Sequence, residues 1–275
     1  MLGRRLRHTA SKNTKRASRS EASDRGYVPV MRPFLFLQLR PEAEVAGDEF
    51  RAVLEYGGLT PDEVERVRVD QQGVPDVDVG KYAGILVGGS PFEVTTPEDR
   101  KSDLQRRMEA GFVPLLERVL AADSPFLGAC SGHGLLGGFC GVAMSGRYAE
   151  TVGPAEVELT DEGRRDPLLD GFPDRFGVFL GHKEALDELP SGAVLLVRGR
   201  RCPIQMFRMG DHVYSTQFHP EGDPEGFSLR IRFYRDHGYF RPEEADARLA
   251  AVSGVHTPWA QRLLRRFVDR YRDPA

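Results

Sequence analysis

Cys130 stands in the run Phe126-Leu127-Gly128-Ala129-Cys130-Ser131-Gly132-His133-Gly134, where an apolar strand-like segment enters Gly-x-Cys-x-Gly and then the small residues of a helix start. This is the cysteine form of a nucleophile elbow, a sharp strand-to-helix turn that exposes one reactive side chain. The flanking glycines allow the backbone to bend where neighbouring side chains would collide. The helix start places a positive dipole end at Cys130 and is expected to lower its thiol pKa. A buried packing residue is the ordinary role for an arbitrary cysteine. That role fits Cys140, in Gly138-Phe139-Cys140-Gly141, and Cys202, beside Pro203, better than it fits Cys130.

A thiol nucleophile needs a group that takes and returns a proton near neutral pH. The strand-like run His212 to Gln217 ends in Gln217-Phe218-His219-Pro220-Glu221, which supplies one. Glu221 can turn back to the far ring nitrogen of His219, with Pro220 restricting the chain between them. Alone, the tripeptide would pass for a surface His and a solvated Glu. A third element is Ile85-Leu86-Val87-Gly88-Gly89-Ser90-Pro91, an apolar run ending in a glycine pair that permits close backbone approach to a reacting centre.

An elbow cysteine followed 89 residues later by a strand ending in His-Pro-Glu resembles the class I glutamine amidotransferase family, and within it is similar to the glutaminase domain of GMP synthetase. The resemblance spans roughly Phe34 to Tyr239. It implies a catalytic Cys130, His219 and Glu221, and an oxyanion hole formed by the backbone amides of Gly89 and Ser131. Gly181-His182-Lys183-Glu184, with the later Leu189-Pro190-Ser191-Gly192 and Pro203-Ile204-Gln205-Met206-Phe207-Arg208, also looks like family segments. By that likeness Gly88, Gly134, His182 and Glu184 line the substrate pocket, Glu184 facing the substrate's ammonium. One departure stands out. The family pattern Gly-x-Cys-x-Gly-x-Gln has Gly134 at its glutamine, which is expected to enlarge the pocket or leave it unsatisfied.

The implied activity is hydrolysis of the glutamine side-chain amide through a Cys130 thioester, with no metal or organic cofactor. In the family the ammonia goes to a synthase. Only about 36 residues follow Tyr239, too few for such a domain, so the expected acceptor is a separate synthase subunit. The alternatives are hydrolysis of another γ-glutamyl or small amide, and a catalytically silent member acting as a binding or regulatory subunit.

To position these residues the chain must build a sheet. Phe34 to Leu39, Val64 to Val69, Ala83 to Val87 and Pro125 to Ala129 read as strands, alternating with amphipathic helical stretches at Glu42 to Tyr56 and Ser102 to Ala122. That alternation predicts an α/β fold with an open, mostly parallel sheet flanked by helices, flavodoxin-like in the manner of class I glutamine amidotransferases. Strand candidates at Val152 to Leu159, Phe176 to Leu180, Ala193 to Val197, Ile204 to Arg208 and His212 to Gln217 predict a smaller antiparallel strand layer. Helices are expected at Pro224 to Tyr239 and Trp259 to Tyr271. The organisation read from this is a basic, disordered tail over 1–30, an amidotransferase-like domain over 31–240 and a C-terminal helical extension over 241–275.

The 275 residues are 40% hydrophobic and 29% charged, as in an ordinary soluble protein. Met1 to Gly26 holds eight Lys or Arg against Glu21 and Asp24, so the formal charge of −3 leaves the remainder near −9. Nucleic-acid binding would have to rest on that tail, and the acidic remainder argues against it. The tail lacks the apolar stretch of a secretory signal, and Met31, just before the first strand, is an alternative translation start. No run approaches the roughly 20 apolar residues of a membrane span. Three cysteines without paired spacing suggest neither a disulfide framework nor a zinc site, and a reducing cytoplasm is the expected compartment.

Overall fold

The structure, a computed structural model, describes residues 31–273; the basic tail read over 1–30 lies outside the described residues. The strands in chain order are β1 (Phe34–Gln38), β2 (Val64–Arg68), β3 (Gly84–Val87), β4 (Phe126–Ala129), β5 (Met144–Ser145), β6 (Glu150–Leu159), β7 (Arg175–His182), β8 (Ala185–Leu186), β9 (Val194–Gly199), β10 (Met206–Met209) and β11 (Val213–Thr216). The helices are α1 (Ala43–Gly57), α2 (Val69–Gln72), α3 (Asp103–Ala121), α4 (Ser131–Phe139), α5 (Asp161–Arg165), α6 (Pro224–Phe233), α7 (Ala245–Val252) and α8 (Pro258–Tyr271).

Nine strands form one sheet in the order β2-β1-β3-β4-β11-β10-β9-β6-β7. The first five run parallel, and from β11 outward each neighbour is antiparallel. The antiparallel strands expected in the second half therefore extend the edge of the parallel sheet, while β5 and β8 pair as a small separate sheet. A parallel strand sandwiched between helical layers must be apolar on both faces. β1 meets this condition: Phe34 and Phe36 join the core on one face, Leu35 and Leu37 the core on the other, and all four are almost fully buried. The alternation follows from the two-residue period of a strand.

On one face α8 contributes Leu263, Leu264, Phe267 and Val268 and packs against α1. On the other, Met108, Phe112, Leu115, Leu116 and Val119 of α3 cover β3 and β4. α3 and α6 begin at side-chain caps. Ser102 accepts from Gln105 N at 3.1 Å at the start of α3, and Asp223 accepts from Gly226 N at 2.7 Å at the start of α6, with Pro224 in the first turn. Each such cap contributes about 1 kcal/mol. α6 stops at Phe233, short of the Tyr239 expected from sequence, and the chain then turns through Tyr234 and Gly238, the latter at φ 80°. This turn carries Tyr239 and Phe240 to the wall of a cavity beside Cys130. Among the described residues no helix is long and apolar enough to cross a membrane.

Candidate active site

The parallel strands deliver the site at their carboxyl ends, where ligand sites of open α/β sheets form. Arg40 follows β1, Gly88 and Gly89 follow β3, Cys130 follows β4, and His219 follows β11. Cys130 adopts φ 52° and ψ −96°, a conformation that a residue with a Cβ enters only under strain. Two hydrogen bonds pin it: Cys130 N donates to Thr216 O at 2.8 Å, and Gly134 N donates to Cys130 O at 3.0 Å. The flanking glycines serve close packing, since a Cβ at Gly128 would lie 2.8 Å from the backbone of Gly132.

His219 is fixed by its own backbone, which donates to Phe179 O at 2.9 Å, and its ring lies edge-on to Phe227. Nδ1 lies 2.7 Å from Glu221 Oε1. A carboxylate oxygen accepts, so Nδ1 carries the proton and Nε2 is left as the basic nitrogen. The same Glu221 oxygen accepts from Arg230 Nη2 at 2.9 Å. All three side chains are buried. Burial pushes the Glu221 carboxyl upward, but His219 and Arg230 outweigh it and hold it well below the usual carboxylate range. Burial also pulls His219 below its ordinary value, against the opposing pull of Glu221.

Cys130 departs from the sequence expectation. It does sit at the start of α4, yet burial dominates and pushes its thiol up to about 11, with Arg40 pulling the other way. The resting pair is thus a neutral thiol and a neutral imidazole. A nine-residue helix has too small a dipole effect to offset removal of the thiolate from water.

A side chain at Gly89 would crowd the site, because a Cβ would lie 2.7 Å from Arg40 Nη2 and 2.8 Å from His219 Cε1. The Gly89 amide has no acceptor among the described residues, and the Ser131 amide belongs to the first turn of α4, where helix geometry supplies none. The two segments are tied by Ser90 N donating to Ser131 Oγ at 2.7 Å.

Two cavities meet at Cys130. One, of about 360 Å³, is lined by Gly134, Met144, His182, Glu184 and Gln217. The other, of about 380 Å³, is lined by His219, Arg40, Arg230, Phe227, Tyr234 and Phe240. Cys130, Ser90, Gly181 and Tyr239 belong to both. Gly88 instead faces a third hollow, where a Cβ would touch Glu49 Oε1 at 2.9 Å.

The sequence-predicted substrate residues Gly134, His182 and Glu184 are brought together in the first cavity, but their polar atoms are largely engaged. Glu184 accepts from Val94 N at 2.6 Å and Thr95 N at 2.9 Å. His182 lies 3.0 Å from Glu184 O through Nδ1 and 3.1 Å from Glu150 Oε2 through Nε2. Nor is the space at Gly134 empty, since a Cβ there would meet Met144 Cε at 2.8 Å. Sequence reasoning missed Arg40, Arg230, Met144 and Tyr239. For Arg40 a signal existed, its place just past the end of a central parallel strand.

The glutamine amidotransferase class-I family model matches residues 48–234, and the chain belongs to that family. Its sequence is 36% identical over 141 residues to a glutamine-hydrolysing GMP synthase of Aeropyrum pernix, covering 51% of this chain and 24% of that protein. It is 27% identical over 147 residues to one subunit of the glutamine-hydrolysing GMP synthase of Pyrococcus abyssi, covering 53% of this chain and 70% of that polypeptide. The chain thus spans about a quarter of the length of the whole GMP synthases that it matches. In fold it is similar to a glutamine amidotransferase from Thermotoga maritima, with TM-score 0.67, 20% identity and coverage of 87% of this chain and 98% of the other.

Proposed function

We propose that the chain hydrolyses the side-chain amide of glutamine to glutamate and ammonia through a thioester on Cys130. The observation that carries this reading is a strained elbow cysteine sharing a cavity wall with His219, whose Nδ1 is held by Glu221 at 2.7 Å. His219 Nε2 takes the thiol proton as Sγ attacks the amide carbon, so the thiolate is generated only as the bond forms. The amides of Gly89 and Ser131 receive the oxyanion. The C–N bond then breaks, the proton on Nε2 goes to the leaving nitrogen, and water activated by the same nitrogen releases glutamate. No step requires a metal or an organic cofactor.

The ammonia passes to a separate acceptor enzyme. Supporting this is the match to proteins named as individual subunits of a glutamine-hydrolysing GMP synthase. A second reading keeps the thiol chemistry but changes the amide, and is favoured by Met144 occupying the space beside Gly134. Ammonia release from glutamine and from other γ-glutamyl amides should be measured with wild type and Cys130→Ala, alone and with candidate ammonia-consuming enzymes. Turnover lost in the variant supports the reading. Equal inactivity of both proteins under every condition removes it.

A further inference from the structure

The two cavities at Cys130 have different chemistry, and only one of them is lined by His219. In an acyl transfer to Cys130, His219 Nε2 hands its proton to the leaving nitrogen, so any substituent on that nitrogen must extend along the His219 side. Ammonia would need no room there. Yet the hollow on that side is walled by Phe227, Tyr234, Tyr239 and Phe240.

Two guanidinium groups close it, and each has donors left over. Arg230 gives Nη2 to Glu221, but its Nε and Nη1 have no partner among the described residues, although the side chain is only 6% exposed. Arg40 gives Nε to Glu49 at 3.1 Å and Nη1 to Tyr234 at 3.2 Å, and its Nη2 has no acceptor among the described residues. That Nη2 is the atom beside Gly89 and His219. A donor without a protein acceptor marks where a ligand or water completes it, and an anion at Arg40 Nη2 would do so. The flat faces of Tyr234 and Phe227 already stack beneath Arg40 and Arg230, at 5.5 and 4.9 Å.

We infer that this cavity is a leaving-group subsite for an amine that carries a carboxylate on an apolar or aromatic body, and hence that the chain cleaves γ-glutamyl amides of such amines. The inference rests on the hydrolytic reading of Cys130. The carboxylate lies on Arg40 Nη2, with the buried charge of Arg230 behind it, the apolar body lies between the aromatic walls, and the scissile nitrogen at His219 Nε2. The balance is that of an ordinary amide hydrolysis. Cys130 Sγ bonds the γ-carbonyl carbon, the C–N bond breaks, the thiol proton leaves on the amine, and water then converts the thioester to glutamate and free thiol.

The test compares γ-glutamyl-4-carboxyanilide with γ-glutamylanilide, following release of 4-aminobenzoate and of aniline. Wild type should favour the carboxylate about 10- to 100-fold in kcat/KM, the range of one charge-assisted hydrogen bond. Arg40→Met should bring that ratio close to one, while Arg40→Lys keeps part of it and shows that the fold survives. Calorimetric titration of Cys130→Ala with 4-aminobenzoate and with aniline reads the cavity without turnover. Binding of the carboxylate alone, lost on adding Arg40→Met, supports the subsite. No binding, or a ratio near one in wild type, overturns it even if glutamine is hydrolysed. No turnover of any amide while 4-aminobenzoate still binds would instead overturn the hydrolytic reading, and with it the leaving-group role, leaving an anion site.

Discussion

The two cavities meeting at Cys130 are similar in size but unlike in how their polar groups are used. On the Gly134 side, Glu184 and His182 spend their hydrogen bonds on the protein itself, and Met144 fills the place next to the glycine. On the His219 side, Arg40 Nη2 has no acceptor among the described residues, and Arg230 Nε and Nη1 are buried without a partner. A polar group satisfied within the fold contributes stability, and one left unsatisfied marks where a ligand or water completes it. The side that family likeness marks for the substrate is therefore the more self-contained of the two.

The largest effect expected is at the residue both cavities share. Cys130→Ala should lower amide turnover by roughly 10⁴-fold or more, because no other group on either side replaces the nucleophile. Its circular dichroism should match wild type, since alanine keeps the Cβ at the same positive φ and the substitution removes one partly buried sulfur. Residual activity above a few per cent would mean that neither cavity serves chemistry at Cys130.

Next comes Glu221→Gln, which keeps the shape but exchanges the charge that both His219 and Arg230 address. A loss in kcat of about 10³-fold is expected, as the imidazolium formed during attack loses its counter-charge and its Nδ1 tautomer is no longer enforced. KM for glutamine should move far less. A large KM change with kcat preserved would place Glu221 in substrate binding. Gly89→Ala should cost less, about 10- to 100-fold in kcat, because a Cβ 2.7 Å from Arg40 Nη2 and 2.8 Å from His219 Cε1 forces both to shift.

What was legible in the sequence follows the same division. Cys130 with its glycines, and His219 with Glu221, are local signals, each written within a few consecutive residues and each at a strand end. β1, β3 and β4 were legible for the related reason that a strand buried on both faces is an unbroken apolar run. The cavity walls were not. Arg40 and Tyr234 lie 194 residues apart, and their hydrogen bond joins the end of β1 to the end of α6, a contact that no local pattern displays. Met144 reaches Gly134 from the short strand β5, which carries no periodicity to read. The thiol pKa was misjudged because a sequence displays the helix start beside Cys130 but not the burial that outweighs it.

That burial has a pH signature. His219 lies below its ordinary value, so its neutral, base-competent form is present through neutral pH and is lost only as acid protonates it. Cys130 lies near 11, so kcat/KM should hold a broad plateau and fall again only as that value is approached and the proton for the leaving amine is gone. Iodoacetamide should accordingly label Cys130 slowly at pH 7 and faster with rising pH. Rapid labelling at pH 5 to 6 would instead show a preformed thiolate and imidazolium, and the helix start would have won after all.

The smallest effect expected tests the comparison from the self-contained side. Gly134→Gln alone should do harm, since its side chain enters space held by Met144 Cε, 2.8 Å from the nearest position of a Cβ. Met144 is unbranched and only partly buried, so Met144→Ala vacates that space at a modest cost in stability. The double substitution places the family's glutamine beside Cys130 with room to adopt a rotamer. It should raise kcat/KM for glutamine by a few-fold to about 10-fold, the range of one added neutral hydrogen bond, while leaving the preference at the Arg40 side where it was. Steady-state assays of glutamine, γ-glutamyl-4-carboxyanilide and γ-glutamylanilide on the same protein check this. All three carry the same γ-glutamyl group and should rise together with the carboxylate preference unchanged; a change in that preference would mean that the two cavities are one binding site.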